Sequence, residues 1–121
     1  MIQLKRVYDP IAPEDGHRFL VDRIWPRGIK RENLAFDAWL KDVAPSDILR
    51  NWFSHNLAKW DGFCHRYFSE LAGKLETWQI ILDTAHQGNV TLLFSARDIE
   101  HNNAAALKLF LEARHSTKGE T

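Results

Sequence analysis

Four basic side chains, Arg23, Arg27, Lys30 and Arg31, fall within nine residues around a Trp25–Pro26 step and Gly28. Arginine suits a phosphate or carboxylate, because its planar guanidinium presents a fork of donors and stays charged at any working pH. A second polar stretch, SARDIEHNN from Ser95 to Asn103, follows the apolar run VTLLF. Arg23, Arg27 and Arg97 are the candidate anion ligands. Gly28 would let backbone approach a ligand with no side chain between them, and Ser95 and Asn102 would add neutral hydrogen bonds. Trp25 offers a flat wall on which a base or sugar could stack. The competing reading is structural: Asp22 and Arg23 pair with neighbours, Trp25 is plain core, and Pro26 to Gly28 is an ordinary turn.

If the site is catalytic, the arginines stabilise charge on a phosphate or leaving group while His55 or Asp22 exchanges the proton. Tyr8 and Asp9 are further acid–base candidates. None of the six histidines pairs with another at the i, i+4 spacing that lets two imidazoles share a metal, and one cysteine cannot build a thiolate site. The sequence therefore predicts no metal and no cofactor. Cys64, between Phe63 and Tyr67 in an apolar stripe, reads as an inert buried thiol. There is no Gly-rich phosphate loop and no GxSxG elbow.

Both polar stretches need strands that end where they begin. IQLKRVY and RFLVDRI read as two strands, separated by turn chemistry that includes Asp15–Gly16. In the second, Phe19, Val21 and Arg23 share one face and Arg18, Leu20, Asp22 and Ile24 the other. LAFDAWLKDVAPS fits either a strand or a loose helix. Ser46 can cap a helix with Asp47 in its first turn, whose Ile48, Leu49, Trp52 and Phe53 would face the core. Trp60, Phe63, Cys64, Tyr67, Phe68 and Leu71 form a full amphipathic stripe. Trp78, Ile81, Leu82 and Ala85 mark a further helix that would stop at a left-handed Gly88. VTLLF lacks alternation, as a strand covered by helices on both faces does. Asn102 would cap a last helix burying Ala104, Leu107, Phe110 and Leu111.

That order predicts an α/β fold: one compact domain over residues 1–115, with a small, mostly parallel sheet flanked by helices in three α/β/α layers, and a flexible tail over 116–121. At 121 residues a second core is excluded. Sixteen basic and sixteen acidic residues leave no net field for non-specific attraction to nucleic acid or anionic lipid. Residues 1–31 nevertheless hold seven basic side chains against four acidic ones. No apolar run spans a bilayer, no signal peptide opens the chain, and a lone cysteine suits a reducing compartment, so the expected location is the cytoplasm.

KRVYDP, DGHRFLVDRIWPRG, APSDILRNWF with His55, FCHRYFSEL and VTLLFSARD with Asn102 occur in an order and at intervals that resemble the YeaO-like proteins, a bacterial family designated a domain of unknown function. The resemblance covers about Met1 to Ala113. It implies a three-layer α/β domain in the bacterial cytoplasm and carries over no reaction. Phe94 stands where relatives often have tyrosine, so no mechanism here can need a hydroxyl at that place.

The sequence thus points to a cleft for an anionic small molecule, a nucleotide or a phosphorylated metabolite, formed by Arg23, Trp25, Arg27, Gly28, Ser95, Arg97 and Asn102. The alternative is a non-catalytic module binding nucleic acid or protein through the same arginines. A third reading has exposed tryptophans forming a dimer patch.

Overall fold

β4 (Val90–Phe94) is buried at every residue, as a strand with a neighbour on each edge and cover on both faces must be. The computed structural model describes residues 1–119 and places β4 between β1 (Ile2–Arg6) and β2 (His17–Leu20), with β3 (Ala38–Trp39) outermost: order β1-β4-β2-β3. All three pairings are parallel. Leu4 and Phe19 both register with Leu92, and Phe19 also pairs with Ala38. Side chains alternate across the sheet. Phe19, Val21, Leu92 and Phe94 go to one face; Leu20 and Leu93 go to the other.

The first face carries every α-helix: α1 (Asp47–Phe53), α2 (Trp60–Ala72), α3 (Leu75–Ala85) and α4 (Asn103–Gly119). Their buried positions match the expected stripes, with Phe63, Tyr67 and Leu71 from α2, Trp78, Ile81, Leu82 and Ala85 from α3, and Ala104, Leu107, Phe110 and Leu111 from α4. Ser46 caps α1 by accepting from Leu49 N–H at 3.2 Å, and Asn102 Oδ1 accepts from Ala105 N–H at 2.8 Å at the start of α4.

The sequence reading needs correction in several places. The layer over the second face is not α-helical. Trp25, Ile29, Leu34, Phe36 and Trp39 cover Val7, Leu20 and Leu93 from a segment whose only helical turn is 3-10, Arg31–Asn33. Pro26 and Gly28 interrupt that segment, so side chains rather than a helix seal the sheet. Trp25 Nε1–H donates to the Ile29 carbonyl at 2.6 Å, and Trp39 Nε1–H to the Asp22 carbonyl at 2.7 Å. Of the five tryptophans, Trp78 is buried and Trp25, Trp39, Trp52 and Trp60 are half-buried, so none is among the exposed residues. Ile48 is 84% exposed, because the buried face of α1 runs through Leu49 and Phe53, four residues apart. α3 ends at Ala85, and Gly88 does not take positive φ. α4 runs through 116–119, and the rest of the segment expected as a flexible tail, residues 120 and 121, lies outside the described residues.

Gly16 is where the turn before β2 requires glycine. Its φ is +64°, and a Cβ there would lie 2.0 Å from the Asn89 carbonyl oxygen, which accepts from His17 N–H.

One buried contact ties the helical layer to the segment leading into α1. The Tyr67 hydroxyl donates to the Val43 carbonyl at 2.5 Å in a fully buried setting. Burial, with Glu70 and Asp22 adding to it, holds this phenol well above the usual tyrosine range. Tyr67→Phe leaves that carbonyl without its donor, so it is expected to lose about 1–3 kcal/mol. In thermal denaturation that is a fall of roughly 5–10 °C in Tm; an unchanged midpoint would show the bond to be dispensable.

Candidate functional site

β2 and β4 point their carboxyl ends in the same direction, and a cavity of about 500 Å³ opens beyond them, within the range of small-molecule sites. The two stretches singled out in the sequence meet here. Asp22, Arg23, Trp25, Arg27, His55, Ser95 and Asn102 all line the cavity; Gly28 and Arg97 do not. Gly28 instead takes φ +81° in an open turn, so its role there is conformational. Arg97 is exposed.

Asp22 is the anchor of this corner. Oδ2 accepts from Ser95 N–H at 2.9 Å and from the Ser95 hydroxyl at 2.7 Å, while Oδ1 accepts from Asn103 Nδ2 at 3.1 Å. The carboxylate therefore fastens the end of β2 to the end of β4 and the start of α4. Ser95 spends its hydroxyl proton on that bond, and Asn102 uses both ends of its amide as a cap, its Nδ2 donating to the Asp98 carbonyl at 2.8 Å. These three residues shape the wall. Trp25 touches the cavity while packing edge-on against Phe36 and Trp39, both 5.5 Å away between centroids.

The basic loop divides its charges. Arg23 and Arg27 line the cavity, whereas the Arg31 guanidinium lies over Trp25 and Trp39 at 5.2 and 5.4 Å from the ring centroids. Tyr8 braces the loop, its hydroxyl donating to the Arg27 carbonyl at 2.9 Å. Arg6 holds the opposite loop through the carbonyls of Ala96 and Ser95, at 2.9 and 3.0 Å.

Sequence reasoning missed Arg50, Asn51, Ser54, His101 and Asn103 as cavity residues. Arg50 lies on α1 and brings a third guanidinium to the lining. Arg23 Nε and Arg50 Nη1 both approach Asp47 Oδ1, at 3.4 and 3.2 Å. His101 faces Asp98 through Nδ1 at 3.1 Å and meets the Trp60 ring edge-on. A carboxylate only accepts, so Nδ1 carries the proton in the neutral ring and Nε2 keeps its lone pair. The Glu100 N–H, and then the His101 N–H and ring, hold the Asp98 carboxyl below its ordinary value against the opposing loss of hydration. The signal for this pair was the three-residue spacing of Asp98 and His101 in a loop.

His55 reaches the cavity from the end of α1 through two successive left-handed residues, Ser54 at φ 44° and His55 at φ 58°. Such conformations cost about 1 kcal/mol each outside glycine and persist where surrounding structure imposes them. Buried Phe53 and Phe63, with Ala44, Pro45 and Ala96, make the remaining lining apolar. Cys64 stays in the apolar stripe of α2, where burial, with Asp61 adding to it, pushes its thiol up to about 11.

A protein-family model described as the inactive DUF488-N3 subclade matches residues 1–121. The chain belongs to this DUF488-N3i family. It is 42% identical over 112 residues to the uncharacterised protein YeaO of Escherichia coli (strain K12), covering 93% of this chain and 97% of YeaO. The uncharacterised protein Mb3100c of Mycobacterium bovis is 38% identical over 113 residues, covering 93% and 95%. The resemblance read from the motifs is thus a family relationship across the domain. No solved structure gives a significant match. In this DUF488-N3i chain, no described helix is long and apolar enough to cross a membrane.

Proposed function

We propose that the cleft binds an anionic small molecule, a nucleotide or a phosphorylated metabolite, and holds it without turnover. One observation carries the reading: Arg23, Arg27 and Arg50, from a loop and a helix, line a single cavity whose remaining wall is half apolar and half polar. The donor forks of arginine suit phosphate oxygens, and Phe53 and Phe63 suit the body that carries the phosphate. Absence of turnover is favoured by the family's description as inactive and by Asp22, whose oxygens already accept from Ser95 and Asn103. His55 and His101 then act as ligand contacts. A single cysteine suits a reducing compartment, so the reading places the protein in the cytoplasm.

The test is calorimetric titration with inorganic phosphate, ribose 5-phosphate and adenosine 5′-monophosphate at two salt concentrations. Saturable one-site binding with a shallow salt dependence is expected. No heat and no thermal stabilisation with any of the three would overturn the reading. Tight binding of a short single-stranded RNA with a steep salt slope would replace it with a nucleic-acid surface.

A further inference from the structure

Two of the cleft's three arginines are not idle. Arg23 Nε and Arg50 Nη1 converge on one oxygen, Oδ1 of Asp47, at 3.4 and 3.2 Å. Arg23 arrives from the loop after β2, and Arg50 is one helical turn beyond Asp47 on α1. Both arginines line the cavity and Asp47 does not. The carboxylate therefore draws on both guanidinium groups from beside the cavity, and an anion bound between them would compete with it for their charge.

Resting on the anion-cleft reading, we infer that Asp47 is an internal competitor for Arg23 and Arg50, which sets the affinity threshold so that a terminal phosphate monoester, and not a singly charged group, is the natural ligand. The contacts are long and single-oxygen, and the Asp47 side chain is 64% exposed, so water screens them and an arriving anion can displace them at a cost of about threefold to tenfold in affinity. A carboxylate or a phosphodiester would exchange one charge for one charge while losing the advantage of a competitor already attached to the chain. A monoester terminus brings close to two charges and three acceptor oxygens, enough to serve both guanidinium groups at once. Removing the competitor lowers the barrier equally for every anion, since the same contacts no longer have to be broken. It raises all affinities rather than changing their order.

Adenosine 5′-monophosphate and its cyclic 3′,5′ diester form a matched pair, the same nucleoside with two charges or one. Titrated at pH 8 into the full chain, the monoester is expected to bind and the diester to bind at least roughly tenfold more weakly. Asp47→Asn, which keeps the shape at an exposed position, should tighten both by about threefold to tenfold, with the larger visible gain for the diester as it enters the measurable range. If Asp47→Asn weakens both nucleotides, Asp47 positions the arginines rather than competing for them, and the inference is overturned while the cleft stands. Unchanged affinity for both also overturns it. If neither the natural chain nor the variant binds either nucleotide or inorganic phosphate, the cleft reading falls as well.

Discussion

Asp15→Ala is expected to destabilise the protein by about 3–5 kcal/mol, the range for removing one partner of a buried ion pair. Asp15 and Arg18 are each only 4% exposed. Arg18 Nη1 donates to Asp15 Oδ2 at 2.5 Å, Lys5 Nζ reaches both carboxylate oxygens at 2.8 and 3.1 Å, and Ala12 N–H donates at 3.0 Å. Arg18 Nε in turn donates to the Ala35 carbonyl at 2.7 Å, and Thr91 Oγ1 to the Asp15 carbonyl at 2.8 Å. The cluster stitches β1, β2 and β4 together at the end of the sheet opposite the cavity. With Asp15 gone, the Arg18 guanidinium stays buried without its counter-ion, and that stranded charge is the main cost. Thermal denaturation should show a fall of roughly 10–20 °C in Tm. Replacing the whole trio by apolar residues of similar volume should recover much of the loss; if the triple variant is as unstable as Asp15→Ala, packing rather than the stranded charge is responsible.

The same carboxylate gives the stability a pH dependence. Burial works against its ionisation, and the contacts from Lys5, Ala12 N–H and Arg18 outweigh it, so the folded-state pKa lies below the ordinary value of 3.8. A lowered folded pKa means that the contribution is complete above the unfolded value. It is lost as pH falls below about 4 and the folded-state carboxyl takes up its proton. Denaturant unfolding between pH 6 and 3 should show that loss in the natural chain and a shallower one in Asp15→Ala.

Replacing both Arg23 and Arg50 by alanine is expected to weaken phosphate-monoester binding by roughly a hundredfold or more, because each charged hydrogen bond to a ligand is worth about 1.5–3 kcal/mol. Their side chains are 45% and 42% exposed, and their shared partner Asp47 is more exposed still, so stability should change by less than about 1 kcal/mol. Arg97→Ala is the comparison: an exposed arginine outside the lining, whose removal should leave affinity unchanged. Calorimetry on the three proteins decides the matter. An Arg97 effect as large as that of the pair would move the site away from the cavity.

That comparison marks where sequence and structure part. Arg97 was as good a candidate as Arg23 by residue type and by its place after a strand. A strand end fixes which loop lies near the cavity; it does not fix which side chain in that loop turns inward. Arg50 was not singled out by residue type or spacing, yet it lines the cavity, because α1 runs beside the loop after β2. Trp25 fitted a stacking wall or core by type, and its burial against Phe36 and Trp39 shows that covering the sheet is much of its work.

By itself the sequence determined the elements whose rules are local: the apolar stripes of α2 and α3, the Ser46 and Asn102 caps, the alternation of Phe19 and Leu20 across β2, and the parallel α/β class, because each depends on residues within a turn or two of one another. Tertiary structure alone decided that β4 enters between β1 and β2, that a loop rather than a helix seals the second face, and that Asp22 meets Ser95 across 73 positions. Those outcomes follow from which strands pair, and pairing is settled by burying the most apolar strand, VTLLF, at the centre of the sheet, a comparison among distant segments that no local pattern contains.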